Sequence, residues 1–190
     1  MNCLTFLKLS DGNLVAIGGE YWEGDAGIRT YKRYNNESNA IVWESHGNII
    51  PLTPQGFKRS WIEPLFLNSF YVSLSGNGKG LAVGTIEGSD TSEYGKSYDS
   101  LVTQVYRWDA IKEGWIAMGE QIIHYEPYTL YDTGRSIWPS RSIVLSEDAT
   151  VLAIGSSSNF VDVYFWNETV TAWISREIDL NNTTDFKGLG

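Results

Sequence analysis

The chain has 190 residues, 42% hydrophobic and 14% aromatic, enough to bury a core as one domain or as a repeat array. Its formal charge of −9, with 14 basic residues scattered along the chain, excludes nucleic acid as a partner, because that binding rests on clustered lysine and arginine. No run has the length of a membrane span, the polar start MNCLTFLKLS is unlike a secretion signal, and the single cysteine, Cys3, excludes an internal disulfide.

In chain order, the first pattern is Leu7–Lys8–Leu9–Ser10, then Asp11–Gly12, then Val15–Ala16–Ile17–Gly18. Alternation, a tight-turn pair and a short apolar run closed by glycine predict two strands joined by a hairpin. A third strand is expected near Ile28 to Tyr34, and Trp43 opens a fourth. Between the second and third lies a loop, 19–27, with Glu20, Trp22, Glu23 and Asp25; a connector, 51–70, carries Trp61.

The order then returns. Val72–Ser73–Leu74–Ser75 precedes Gly76–Asn77–Gly78 and Leu81–Ala82–Val83–Gly84. Asn-Gly between apolar runs is a strong hairpin signal, because both central residues of a type I′ turn need positive φ. A long segment, 85–101, with Glu87, Asp90, Glu93 and Asp99, leads to Val105–Tyr106–Arg107–Trp108, and Trp115 opens the last strand. After a second connector, 123–141, containing Trp138, the third copy begins at Ser142. Its Val151–Leu152–Ala153–Ile154 run suits a strand buried on both faces. Val163–Tyr164–Phe165–Trp166 matches Val105 to Trp108, and Trp173 matches Trp115.

In the first copy either Tyr31 or Tyr34 suits the Tyr106 position, and no tryptophan matches Trp108. The pattern W-x-x-x-G-x-x-I is shared by Trp43, Gly47, Ile50 and by Trp115, Gly119, Ile122; the third copy breaks it with Glu177 in the glycine position. Ser10, Ser75 and Ser146 stand 65 and then 71 residues apart.

Four short antiparallel strands leave two apolar faces, so such units must stack. The fold class expected is all-β: four-stranded antiparallel blades stacked as a partial β-propeller of about three blades, near 4–50, 71–122 and 142–180. A sandwich or solenoid is the alternative. Three blades cannot close a ring and the sequence stops where a fourth would start, so a fragment of a longer protein is expected.

The pattern L-S-x-D-G-x-x-x-A-I-G, V-x-V-Y-x-W, W-x-x-x-G-x-x-I resembles a repeat of large, mostly uncharacterised proteins of algae and marine microbes. These are treated as β-propellers related to WD40-like and integrin-type FG-GAP repeats. The motif positions are Ser10, Asp11, Gly12, Ala16, Ile17, Gly18; Ser75, Asn77, Gly78, Ala82, Val83, Gly84; and Ser146, Asp148, Ala153, Ile154, Gly155. Ala149 replaces the third turn glycine, and the D-x-D-x-D-G calcium loop of integrin repeats is missing. The resemblance implies a scaffold and no activity.

Catalytic and metal-ligating residues are not assigned, and no cofactor is implied. His46 and His124 occupy unrelated repeat positions, Cys3 has no histidine at a suggestive spacing, and the turn serines suit turn chemistry rather than nucleophilic attack. The Asp-box of sialidase-type propellers matches poorly, because Ser75–Gly76–Asn77–Gly78 lacks its Asp and its terminal Trp. The loop carboxylates, among them Glu20, Asp25, Glu87 and Asp90, suit either a hard cation or solvent. Trp43, Trp108, Trp115, Trp166 and Trp173 read as packing between blades; Trp22, Trp61 and Trp138, in connectors, suit contacts with carbohydrate or protein, or else plug the blade ends.

Two function classes follow. One is a binding scaffold whose protein or glycan partner sits on the rim of long loops. The other is part of a propeller hydrolase or lyase with catalytic residues in missing blades. Sequons at Asn36, Asn167, Asn181 and Asn182 lean toward the extracellular side and are possible glycosylation sites, Asn36 and Asn167 on the rim away from the long loops.

Overall fold

The computed structural model describes residues 5–8, 13–20, 26–51, 70–88, 98–127, 142–155 and 160–179. Every regular element among them is a strand, and every pairing is antiparallel. The first sheet runs β1 (Thr5–Lys8), β2 (Leu14–Glu20), β3 (Ala26–Asn35), β4 (Ile41–Ser45), with β5 (Ile50–Pro51) also on β3. The second runs β6 (Phe70–Leu74), β7 (Gly80–Gly88), β8 (Tyr98–Asp109), and both β9 (Gly114–Ala117) and β10 (Ile122–Pro127) pair with β8. The third is β11 (Ser142–Leu145), β12 (Val151–Gly155), β13 (Phe160–Asn167), β14 (Ala172–Asp179).

Register aligns the copies more sharply than spacing does. Val15 pairs with Tyr31, Leu81 with Tyr106 and Leu152 with Tyr164, so Tyr31 and not Tyr34 holds the shared tyrosine position. One step on, Arg33 faces Trp43 where Trp108 faces Trp115 and Trp166 faces Trp173.

The shared glycine marks a break in the fourth strand. Ser45 pairs with Tyr31 and Ile50 with Ile28, so the fourth strand spends five residues against three on β3. The second sheet repeats this: Ala117 pairs with Tyr106 and Ile122 with Thr103. Extra residues on one strand form a bulge. Gly47 and Gly119 sit in it with φ of +83° and +75°, a region that penalises a side chain. Glu177 stands at the equivalent place in β14, and there the strand runs unbroken through Ser175, Glu177 and Ile178. Sheets one and two therefore have five strands, not the four expected.

The hairpins are also longer than expected. Glu20 pairs with Ala26 and Glu87 with Ser100, so both acids stand on strand backbone rather than in loops. Part of the second connector is strand as well, since β10 continues the second sheet along β8.

Two apolar layers separate the three sheets. Leu14, Ala16, Ile28 and Ile50 meet Val72, Leu81, Val83 and Trp115 in the first. Ala82, Leu101, Val105, Met118 and Ile122 meet Ile143, Leu145, Leu152 and Ile154 in the second. Each fully buried Leu or Ile contributes about 1.5–3 kcal/mol. The middle sheet is covered on both faces, and β7 is buried at every position from Gly80 to Gly84. In β12 only Leu152 and Ile154 are buried while Val151 and Ala153 are half-exposed, because among the described residues one face alone is covered. Closest approaches between sheets are made by β6 with β1, β2 and β11, and by β11 with β7. Small residues permit this: a Cβ on Gly18 would lie 2.3 Å from Phe70 Cε2, and one on Gly80 2.2 Å from Ala149 Cβ.

Candidate functional site

The repeat residues converge on the two seams between sheets. At the first, the bulge of the first sheet meets a tryptophan pair of the second. Trp108 and Trp115 lie edge to face, with ring centroids 5.5 Å apart at 72°. His46 stacks on Trp108 at 3.7 Å and 17°, and a Cβ on Gly47 would fall 2.6 Å from Trp108 Cζ3. Burial, and then the charge of Lys32, hold the His46 imidazole below its usual 6.5, so it packs as a neutral ring.

The second seam repeats this with Trp166 and Trp173, centroids 5.4 Å apart at 58°, and Trp166 Cζ3 would lie 2.8 Å from a Cβ on Gly119. A single substitution changes the polar wiring. Trp173 Nε1 donates directly to the Met118 carbonyl at 2.9 Å. Trp115 Nε1 instead donates to Thr30 Oγ1 at 2.8 Å, and Thr30 in turn donates to the His46 carbonyl. Register sets Thr30 and Val105 at the same position; valine has no hydroxyl, so the second seam closes without the relay. Asn48 adds a cross-seam bond, its Oδ1 accepting from the Trp115 amide at 2.6 Å. His124 Nδ1 contacts Asp162 Oδ2 across the second seam. Tyr164, half-buried next to that carboxylate, has its hydroxyl pushed up to about 12, first by burial and then by the Asp162 charge.

The turns absorb much of the remaining polar chemistry. Ser75 Oγ donates to Asn77 Oδ1 at 2.8 Å and accepts from the Gly80 amide at 2.7 Å. Ser146 Oγ donates to Asp148 Oδ1 at 2.7 Å and accepts from Val151 at 2.9 Å. Those bonds, that from Ser146 foremost, hold the Asp148 carboxyl below its ordinary value; Asp109 is lowered likewise by the Lys112 and Ile111 amides. These serines are turn caps. Asn36 Oδ1 accepts from the Ser38 and Ala40 amides, and Asn167 Oδ1 from those of Thr169 and Val170, so both sequon asparagines initiate turns between third and fourth strands.

Trp22, Trp61, Trp138, Asp25, Asp90, Asn181 and Asn182 lie outside the described residues. Glu20 and Glu87 hold backbone positions near the inner ends of the β2–β3 and β7–β8 hairpin gaps. Because each sheet is a meander, the strand ends that flank 21–25 and 52–69 share one edge of the first sheet, and those that flank 89–97 and 128–141 one edge of the second; the approach of Gly18 to Phe70 brings the two edges together. Trp43, expected to pack between sheets, is 44% exposed, since no described sheet covers that face of the first. Spacing placed Trp108, Trp115, Trp166 and Trp173 between sheets; what it missed is that the glycines of W-x-x-x-G-x-x-I, Gly47 and Gly119, receive the Trp108 and Trp166 rings. Among the described residues no group of three or more His, Cys, Asp or Glu is placed to hold a metal ion, and no helix is long and apolar enough to cross a membrane.

No protein-family model matches the chain, and no curated protein matches it. Among solved structures it is similar to a candidate 6-phosphogluconolactonase from Bacteroides fragilis, at 9% identity and a TM-score of 0.45, over 93% of this chain and 38% of that one.

Proposed function

We propose that the three sheets are successive blades of a partial β-propeller that serves as a non-enzymatic binding scaffold, its partner a protein or a glycan held on the edge bearing the long segments. The observation that carries the radial arrangement is the close approach of the first strands, β1, β6 and β11, while bulky tryptophan pairs fill the seams toward the fourth strands. Sheets close at one side and wedged apart at the other fan around an axis. In support of a binding role, His46, Asp162, Ser75, Ser146 and Asp148 are taken up by turns and seams, and the aromatic and acidic residues of the long segments are the ligand candidates.

The test is a glycan array and a proteome-derived peptide array probed with the whole chain and with a variant shortened within 88–96. Intact cooperative unfolding with altered binding supports the assignment. Binding unchanged by that deletion, and by Trp22→Ala, Trp61→Ala and Trp138→Ala, refutes it.

A further inference from the structure

The two seams differ where the fourth strand of one sheet meets the bulge of the sheet before it. At the first seam Asn48 closes the gap, its Oδ1 accepting from the Trp115 amide at 2.6 Å. Gly114 makes room for it, since a Cβ there would lie 2.8 Å from that same oxygen. Counted from the shared glycine and tryptophan, the second seam has Glu120 in the Asn48 position and Ala172 in the Gly114 position. The Ala172 methyl leaves no room for a side chain seated as Asn48 is. The second seam is open there: a cleft of about 510 Å³ lies between 119–122 of the second sheet and 170–173 of the third. Sites for small ligands and short segments fall in this range, about 300–1,000 Å³.

The backbone of β14 faces the cleft with an unused donor. Trp166 gives its amide to the Thr150 carbonyl, so Trp173, its partner across the pair, turns its own amide the other way, onto the free edge of β14. Trp115 is placed alike, because the Trp108 amide goes to the Lys79 carbonyl, and there Asn48 supplies the oxygen. Among the described residues no oxygen is supplied to the Trp173 amide, and no cation pairs with the exposed Glu120 that lines the same cleft. Val170, 58% exposed, adds an apolar wall.

An occupant must therefore bring two things together: a carbonyl oxygen for an edge-strand amide and a positive charge for a carboxylate. An extended peptide carrying lysine or arginine has both at the right chemistry. Its main chain pairs with a strand edge, the stem of its side chain lies along Val170, and its charged head reaches Glu120. The formal charge of −9 on this chain draws such a segment in.

We propose that this end of the second seam is a binding site for a basic peptide segment, which adds to the free edge of β14 with a main-chain carbonyl on the Trp173 amide and a lysine or arginine on Glu120. The site is built from the seam alone and does not rest on the binding role proposed above.

Titration of the 15N-labelled whole chain with acetyl-valyl-lysyl-valinamide, followed by amide NMR, tests it. The Trp173 and Gly119 amides should shift saturably. Peptides with norleucine or glutamate in place of lysine should bind at least about threefold more weakly, and Glu120→Gln should lose about the same factor for the lysine peptide. The double variant Glu120→Asn, Ala172→Gly carries the closure of the first seam into the second; it should unfold cooperatively and show no binding. Glu120→Gln, a change at an exposed position, keeps the test decisive if the double variant does not fold. Shifts that do not saturate, that saturate equally for all three peptides, or that persist unchanged in Glu120→Gln overturn the proposal. Shifts confined to residues flanking the long segments also overturn it, and leave the earlier binding role standing.

Discussion

Replacing Gly119 by alanine should damage the second seam in two separable ways. The backbone there has φ of +75°, which costs an L-residue about 1–2 kcal/mol. The new Cβ would lie 2.8 Å from Trp166 Cζ3 and 3.4 Å from Cη2, and relieving such overpacking costs about 1–3 kcal/mol. Urea unfolding followed by tryptophan fluorescence and circular dichroism should therefore show a loss of about 2–5 kcal/mol. The contact half is isolated by Trp166→Phe, whose shorter ring does not reach the clashing atoms. In that background Gly119→Ala should cost only the backbone part, about 1–2 kcal/mol. Glu177→Gly is the matched control: β14 has no bulge to serve, so glycine should bring no gain and cost about 0.5–1 kcal/mol. A Gly119→Ala cost below about 0.5 kcal/mol, or an equal cost in both backgrounds, would refute the seam as the reason for the glycine.

Between the first strands, Gly80→Ala should cost about 1–3 kcal/mol, because its Cβ would meet that of Ala149 at 2.2 Å, and adding Ala149→Gly should recover most of it in the same unfolding assay. Ala149→Gly alone should stay within about 1 kcal/mol of wild type, since losing a buried methyl offsets relief of a φ of 65°. Trp115→Ala, at a site 4% exposed, should cost about 3–5 kcal/mol, and a loss below about 1 kcal/mol would place that side chain on the surface. His46 binds its proton less readily folded than unfolded, so its contribution to stability is full above 6.5 and is lost as pH falls toward its lowered folded value. Chemical unfolding at about pH 7.5 and about pH 5 should show a larger acid loss for wild type than for His46→Gln.

Much of the fold was legible because its signals are local. Asn77–Gly78, the run Leu81 to Gly84 and the tryptophan spacing each name a strand or turn without reference to distant residues. The fifth strands were not legible, since β5 and β10 follow a bulge whose register is set by the partner strand and not by their own sequence. The Tyr31–Tyr34 ambiguity had the same root, and pairing with Val15 resolved it. Ala149 illustrates a conflict between levels: as a turn residue it looked like a defect, yet its methyl fills the space opposite Gly80. The polar wiring of the seams was hidden because Thr30 and Val105 differ by a hydroxyl whose partner lies in the next sheet. Outward Trp43 could not be told from buried Trp115 on spacing alone, because burial depends on which sheet comes before.

The central claim is that each sheet anchors on its predecessor through the indole of its fourth-strand tryptophan. Hydrogen exchange at the indole N–H groups tests it most directly, by two-dimensional NMR on 15N-tryptophan-labelled protein, with signals assigned through single Trp→Phe variants. Trp115 and Trp173, which donate across the seams to Thr30 Oγ1 and the Met118 carbonyl, should exchange only through unfolding, while Trp43 on the outward face should exchange far faster at concentrations where the chain is monomeric. Equal, rapid exchange at all three would mean that the sheets do not stack through these residues.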